Sequence, residues 1–297
     1  MYDDVKLNEY GFYSLKKLPS KEEVENYYKE KYYQKAMGSY EITYTEDELS
    51  YFNAKLEQKL LLINLHTLDS NSLDRSFLDI GCGEGFALSF FKKKHFSVLG
   101  LDYSSEGVIR QNPDVADNII FGDLFSSISK LIDASEQFDI VNMDNLLEHV
   151  AEPKSLLQMV KRLLKNDGLV IIKVPNDFSF LQEYFYKHGI ANDAQWVAPL
   201  DHISYFNNSG LIRICSSAGF ECIDSLSDSL VELSALNPNT NYFLNKNVGK
   251  SCHMAMIAQE NIFHGISPNE TLNVYRVLGE MGIGRAIIGV FKKLKST

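Results

Sequence analysis

The sequence predicts an α/β fold built on a doubly wound, mainly parallel sheet. Three observations predict it. First, the short apolar run Phe77–Ile80 leads into three glycines within five residues, Gly81, Gly83 and Gly85, and then into a helix-forming stretch, Ala87–Lys93. A strand, a glycine turn and a helix in that order open the cofactor site of such a domain. Second, apolar runs and helical stretches alternate as far as Val174, which implies parallel strands joined by crossover helices. Third, acids stand at the ends of three successive runs, Asp79, Asp102 and Asp123, where a ligand at the carboxyl edge of the sheet meets them.

The glycine turn carries the chemistry. A dinucleotide fingerprint places glycines first, third and sixth, and here the sixth place is Phe86. Asp79 precedes the turn and Glu84 lies inside it, so a pyrophosphate at the following helix would be repelled. A ligand bearing an ammonium and a sulfonium would be attracted. S-adenosylmethionine is such a ligand, and the stretch Gly81, Cys82, Gly83 and Gly85 permits close backbone approach.

The second strand, Ser97–Leu101, ends in Asp102 and Tyr103. An acid about twenty residues beyond the glycine turn accepts ribose hydroxyls, and the Tyr103 ring suits the adenine face. The third, Asn118–Phe121, ends in Gly122-Asp123-Leu124. Asp123 has two readings of equal weight, an acceptor for the adenine amino group and the N-cap of the next helix. Leu124, and Met143 just beyond the fourth strand (Phe138–Asn142), complete the predicted cofactor set. A helix from Pro153 to Lys165 is expected to stop at Gly168. A fifth strand, Leu169–Val174, follows, its unbroken apolar run suiting burial on both faces.

Taken together, Leu78–Gly85, Leu101–Ser104, Gly122-Asp123, Leu147-Glu148-His149-Val150 with Glu152-Pro153, Leu163–Gly168 and Val174-Pro175-Asn176 resemble the class I S-adenosylmethionine-dependent methyltransferases. The likeness is to the branch of ubiquinone-biosynthesis O-methyltransferases and sugar methyltransferases, and covers roughly residues 56 to 225. It implies a Rossmann-like, seven-stranded, mostly parallel sheet with helices on both faces. It also implies methyl transfer from S-adenosylmethionine, with S-adenosylhomocysteine as product, to a small-molecule acceptor. The expected acceptor is a hydroxyl of a sugar, nucleotide-sugar or surface-polysaccharide component. A quinone or phenol is the alternative, and a non-catalytic cofactor-binding module is a third reading.

The flanks of this core are read from pattern. Residues 1–55 form an N-terminal helical cap holding ten of the sixteen tyrosines. Ser20 and Thr45 each begin a capping box. The second box starts a helix with Leu49, Phe52, Leu56, Leu60 and Ile63 at helical spacing. Tyr32, Tyr33, Tyr40 and Tyr44 are its substrate-side candidates, against the plainer reading that they only pack the segment. The methyltransferase domain spans 56–260. Within it, residues 175–206 are one quarter aromatic, twice the 12% of the chain. They read as a lid over the acceptor, with Trp196 and Tyr205 facing it, or as an insert with its own small core. A helix over Asn208–Ala218 and a strand over Phe220–Leu226 follow. Residues 227–250 read as a loop, Cys252–Ala258 as the last strand, and 261–297 as a helical extension. That extension has a capped helix from Ser267 to Glu280 and a final helix, Arg285–Lys295. The basic end of the final helix fits a membrane surface or a homodimer contact, with packing on its own domain favoured.

The catalytic candidates follow the fourth strand. The resemblance places His149 near the transferred methyl as the base, and a near-neutral imidazole suits that task. Holding its loop is the reading of equal weight. Asp144 would accept the proton or orient the histidine, and His202, before Tyr205 and Phe206, is the second candidate base or a lid fastener. The resemblance to quinone enzymes implies a divalent ion held by Asp144 and Glu148, but Leu147 stands where those enzymes tend to carry another acid, so no metal is predicted.

Composition sets the outer bounds. A chain of 297 residues with 45% apolar content suits one large domain with additions. A net charge of -10 argues against a nucleic-acid substrate. Cys82, Cys215, Cys222 and Cys252 show no metal spacing and read as reduced thiols of a cytoplasmic protein. The acidic start is not a signal peptide, and no apolar run reaches membrane-spanning length.

Overall fold

In the computed structural model, residues 3–20, 23, 43–67 and 75–294 are described. The chain begins with two short strands, β1 (Val5–Leu7) and β2 (Tyr13–Leu15), and a long helix, α1 (Glu46–His66). The central domain then runs β3 (Ser76–Ile80), α2 (Phe86–Lys93), β4 (Ser97–Asp102), α3 (Glu106–Gln111), β5 (Ile119–Phe121), α4 (Leu124–Asp133), β6 (Phe138–Asp144), α5 (Pro153–Leu163) and β7 (Leu164–Pro175). It continues through α6 (Phe180–Lys187), β8 (Ser204–Tyr205), α7 (Asn208–Ser217) and β9 (Phe220–Asp228). Two helices, α8 (Gly249–Ile266) and α9 (Pro268–Glu280), precede the last strand, β10 (Ala286–Lys293).

Seven strands form one sheet in the order β5-β4-β3-β6-β7-β10-β9. Strands β5, β4, β3, β6 and β7 are parallel to their neighbours. Strand β10 runs antiparallel between β7 and β9. The order reverses between β3 and β6, the switch point at which doubly wound sheets open a crevice at their carboxyl edge. The expected Rossmann-like sheet is therefore present, with an apolar core on each face. One core gathers Leu78, Ile80, Val141 and Val170 with Leu156, Leu157 and Val160 of α5. The other gathers Phe77, Ile140 and Ile171 with Phe91 of α2 and Ile63 of α1. Alternate residues of one strand feed opposite cores, as the pleat requires.

The capping boxes form. Glu48 N donates to Thr45 Oγ1 (3.3 Å) and Thr45 N to Glu48 Oε2 (2.8 Å). Ser20 and Glu23 exchange the same pair of bonds; Tyr32, Tyr33 and Tyr40 lie outside the described residues. The predicted stripe of α1 is borne out in part, with Ile63 fully buried and Leu56 and Leu60 packed against the core. Ala54, Gln58, Lys59, Leu62 and Ile63 point inward, whereas Leu49 is exposed.

Three predicted elements are corrected. Residues 252–258 are helix, not strand. Cys252, Met256, Ile257 and Glu260 are the buried positions of α8, spaced as one helical stripe. Glu260 is tolerated there because Lys55 Nζ (2.5 Å) and the Tyr275 hydroxyl bind its carboxylate. The predicted terminal helix is strand β10. Ile287, Val290 and Phe291 are buried, and the strand fills the sheet between β7 and β9. Strand β7 begins at Leu164 rather than after Gly168, because Leu164 already pairs with Phe138 and the register shifts before Ile140. The cuts drawn at 55 and 260 fall inside α1 and α8.

The aromatic insertion has a core of its own, where Leu181, Phe185 and Trp196 pack with Ala235 and Phe243. Strands β1, β2 and β8 form a small separate sheet. Among the described residues no helix is long and apolar enough to cross a membrane.

Candidate active site

Strand β3 delivers the chain to the crevice, and the turn after it is left-handed at Gly81 (φ 76°), Gly83 (φ 52°) and Gly85 (φ 75°). Gly85 is also crowded, since a Cβ there would lie 2.9 Å from Val108 Cγ2. Glycine is required on both grounds. The turn is tied to β4 by Gly81 N and Cys82 N, which donate to Leu101 O at 2.8 and 3.2 Å. The Cys82 side chain is buried, and burial pushes its thiol up.

Asp102 ends β4 and is bound by its neighbours. Its Oδ2 accepts from Gly83 N (2.7 Å) and its Oδ1 from Ser104 N (3.0 Å). Each carboxylate oxygen accepts more than one bond, so ribose hydroxyls remain within its capacity. Tyr103 beside it is 76% exposed, leaving a ring face open. Asp123 caps α4, its Oδ1 accepting from Ser126 N (2.9 Å), a role compatible with its other reading as an acceptor for the adenine amino group. Leu124 begins that helix and packs on the core. Met143 is fully buried in the core, so its side chain does not reach a cofactor; this corrects the prediction.

Beneath the turn lies a buried polar chain. Lys59 of α1 donates to Asn142 Oδ1 (2.6 Å) and Asp144 Oδ2 (2.5 Å), and Asn142 Nδ2 donates to Asp79 Oδ1 (2.7 Å). Burial, then the nearby Asp144 charge, pushes the Asp79 carboxyl up to about 7. Glu84 is also buried and, by burial, raised to about 7, although the Tyr44 hydroxyl donates to its Oε2 at 2.7 Å. Tyr44 thus packs on the cofactor turn, where it also meets Phe52 and Phe86 edge-on. The clue to Lys59 was a charged residue between Leu56 and Ile63 on an apolar stripe. Nothing comparable marked Asn142.

The fold brings the two predicted histidines together. Their rings are 5.0 Å apart and nearly perpendicular. The loop after β6 is joined to the segment before β8 by Ile203 N, which donates to Glu148 O (2.8 Å), and by His149 Nδ1, 2.5 Å from Asp201 O. A carbonyl only accepts, so Nδ1 carries the proton and Nε2 presents a lone pair. Burial holds the His149 pKa below the usual histidine range, partly offset by Asp201. The ring is therefore neutral at neutral pH. Glu148, 3.8 Å from His149 Nε2, is buried with neither carboxyl oxygen hydrogen-bonded, and burial raises it to about 8. Its carboxyl with His149 and His202 offers three ligand atoms within 4.8 Å of one another, close enough to hold a metal ion. His202 Nδ1 lies 3.9 Å from the buried Asp177.

Asp144 does not join this pair; its bonded partner is Lys59. Tyr205 is fully buried, its hydroxyl donating to His202 O (2.9 Å) and accepting from Ala198 N (3.2 Å). Trp196 is buried in the core of the insertion. Neither ring lines an acceptor pocket, because each side chain's apolar area is spent on packing.

The residues around the turn fit S-adenosylmethionine. They offer glycines at the turn, an acid at the end of β4, an open aromatic face and buried carboxyls that a cation would ionise. A doubly wound sheet with this edge defines a nucleoside-cofactor enzyme of the methyl-transfer class. Residues 48–225 match the family described as a methyltransferase domain, and the chain belongs to that family, as a class I S-adenosylmethionine-dependent methyltransferase.

The chain is similar to a ubiquinone biosynthesis O-methyltransferase of Glaesserella parasuis, with 27% identity over 63% of this chain and 79% of the relative. It is 25% identical to one from Colwellia psychrerythraea, over 56% of this chain and 69% of the relative. Among solved structures, a SAM dependent methyltransferase from Archaeoglobus fulgidus aligns with a TM-score of 0.49 at 17% identity, over 81% of this chain and 94% of that one.

Proposed function

We propose that the protein methylates a hydroxyl of a small polar acceptor and that His149 takes the hydroxyl proton at Nε2. S-adenosylmethionine supplies a methyl group on a sulfonium, which is already a good leaving group. The chain has to align the acceptor, keep water out and accept a proton. The observation that carries the reading is the His149 Nδ1–Asp201 O bond of 2.5 Å. It fixes the tautomer, and burial keeps the ring neutral, so a base is poised at the edge of the sheet. His202 supports the ring from the side and serves as a positioning residue. The aromatic insertion covers the acceptor side in this reading.

Two acceptor classes are in play. The similar enzymes named for ubiquinone biosynthesis support a phenolic hydroxyl. A cavity in which Lys173, Asp228, Ser229, His253 and Arg285 stand among Val231, Met256 and Ala286 supports an acceptor with polar groups, such as a sugar, nucleotide-sugar or polysaccharide unit. We favour the hydrophilic class, since Lys173, Asp228 and Arg285 line the cavity beside its apolar residues, and a wholly apolar tail would cover these charges without pairing them.

The test uses isotope-labelled S-adenosylmethionine with panels of sugar and phenol acceptors. His149→Ala is expected to lower turnover by about 10²–10⁴ while cofactor affinity stays within about twofold. His202→Ala should cost less. A full rate in His149→Ala, or a larger loss in His202→Ala, would reassign the base.

A further inference from the structure

We propose that the cavity at the carboxyl edge of β7 and β9 binds an anionic group of the acceptor, a carboxylate or a phosphate, through Arg285 and Lys173. This rests on the acceptor reading above and names the chemistry that anchors the acceptor.

The cavity has a volume of about 300 Å³. It sits where three chain segments end and one begins. Asn145 follows β6, Lys173 and Pro175 close β7, Asp228 and Ser229 close β9, and Arg285 enters β10. Pairing of Ala286 with both Pro175 and Asp228 aligns these ends. Tyr51 of α1 and His253 of α8 roof the space. Ligands in such sheets bind outside the carboxyl ends of the strands, and this cavity occupies that position.

Charge decides what it takes. Of its lining residues Lys173 and Arg285 are cationic, and Asp228 is the only acid. Lys173 Nζ lies 3.2 Å from Asp228 Oδ2. That pair is neutral as a unit, and Arg285 is the second cation of the lining. The Arg285 side chain is 43% exposed. It is ion-paired with Asp177 at 3.7 Å and Glu232 at 3.9 Å, distances longer than charge-assisted hydrogen bonds. Both acids are almost wholly buried and do not line the cavity. Burial also raises both carboxyls, Asp177 to about 7, which weakens their hold. The exposed part of the Arg285 fork, not covered by these two loose ion pairs, can take two oxygens of a carboxylate or phosphate. Tyr51, Ser229 and Asn145 add polar groups around the same space.

The first measurement needs no variant and no turnover. Phenylglyoxal labels accessible arginines, and labelling of Arg285 is read by peptide mass on the full chain. Inorganic pyrophosphate or glucuronate should protect Arg285, while neutral glucose should not. Which anion protects distinguishes phosphate from carboxylate. Protection by neither, or equal protection by glucose, overturns the proposal. In the second, Arg285→Gln should weaken calorimetric binding of the protecting anion by about tenfold or more, with cofactor affinity within about twofold. Unchanged anion binding also overturns it. If Arg285→Gln does not fold, the wild-type labelling still decides. Anion binding is measured apart from methyl transfer, so failure of the hydroxyl-methylation reading leaves a separate signature, anion protection without an O-methylated product.

Discussion

Cofactor binding should strengthen as pH rises towards neutrality. Asp79 and Glu84 flank the glycine turn, and burial raises both carboxyls to about 7. Each is largely protonated at pH 5.5 and half ionised at pH 7. A cationic ligand binds the ionised form better, so its arrival pulls these groups back towards ordinary carboxylate values and releases protons. From pH 5.5 to pH 7 the ionised fraction of one such carboxyl rises from about 0.03 to about 0.5. Affinity should therefore rise up to about sixteen-fold if one acid contributes, and more if both do. The range stops short of about 8, where an α-amino group begins to lose its own charge. Calorimetry in two buffers of different ionisation enthalpy measures both affinity and protons released. Near pH 7 each contributing acid should release about half a proton. Glu84→Gln should remove its share of the pH slope. A flat affinity over this range, with no proton release, would refute the argument that buried acids receive the cation.

Three further outcomes follow from the same geometry. Asp102→Ala removes an acceptor at the end of β4 and frees Gly83 N; cofactor affinity should fall about tenfold or more, and an unchanged dissociation constant would take Asp102 out of the site. Lys59→Met leaves Asp144 and Asn142 without their shared donor. Breaking such a pair costs about 3 kcal/mol, the low end of the usual range because Asp144 stays partly open; a loss below about 1 kcal/mol in urea unfolding would count against the network. Tyr44→Phe deletes the bond to Glu84, worth about 0.5–1.5 kcal/mol, and should weaken cofactor binding several-fold at neutral pH without moving the melting temperature far. Equal affinity would mean that Tyr44 merely packs.

Much of the fold was legible because its signals are local. The turn at Gly81–Gly85 announces itself by composition, and the acids at Asp79 and Asp102 by position after apolar runs. The box at Thr45 and the cap at Ser267 set helix starts that the structure reproduces. What was illegible depends on tertiary partners. The run around Ile287 and Val290 fits a helix or a strand equally until β7 and β9 are known to leave a gap between them. The stripe of α8 is hidden because one of its buried positions is Glu260, acceptable only once Lys55 and Tyr275 surround it. His149 and His202 were each suspected, but only the folded chain sets their rings against each other. Trp196 and Tyr205 misled because aromatic density marks a core as readily as a pocket. Arg285 gave no signal at all, since its meaning comes from the strand ends around it.

The claim most in need of trial is that a hydroxyl oxygen receives the methyl group. Incubating the protein with S-adenosylmethionine carrying an isotope-labelled methyl and a small-molecule metabolite fraction, then reading the NMR shift of the transferred carbon, tests it directly. An O-methyl signal that is strong in the wild type and nearly lost in His149→Ala is the result this account predicts. A label found on nitrogen or carbon, or an O-methyl signal indifferent to His149, would contradict it.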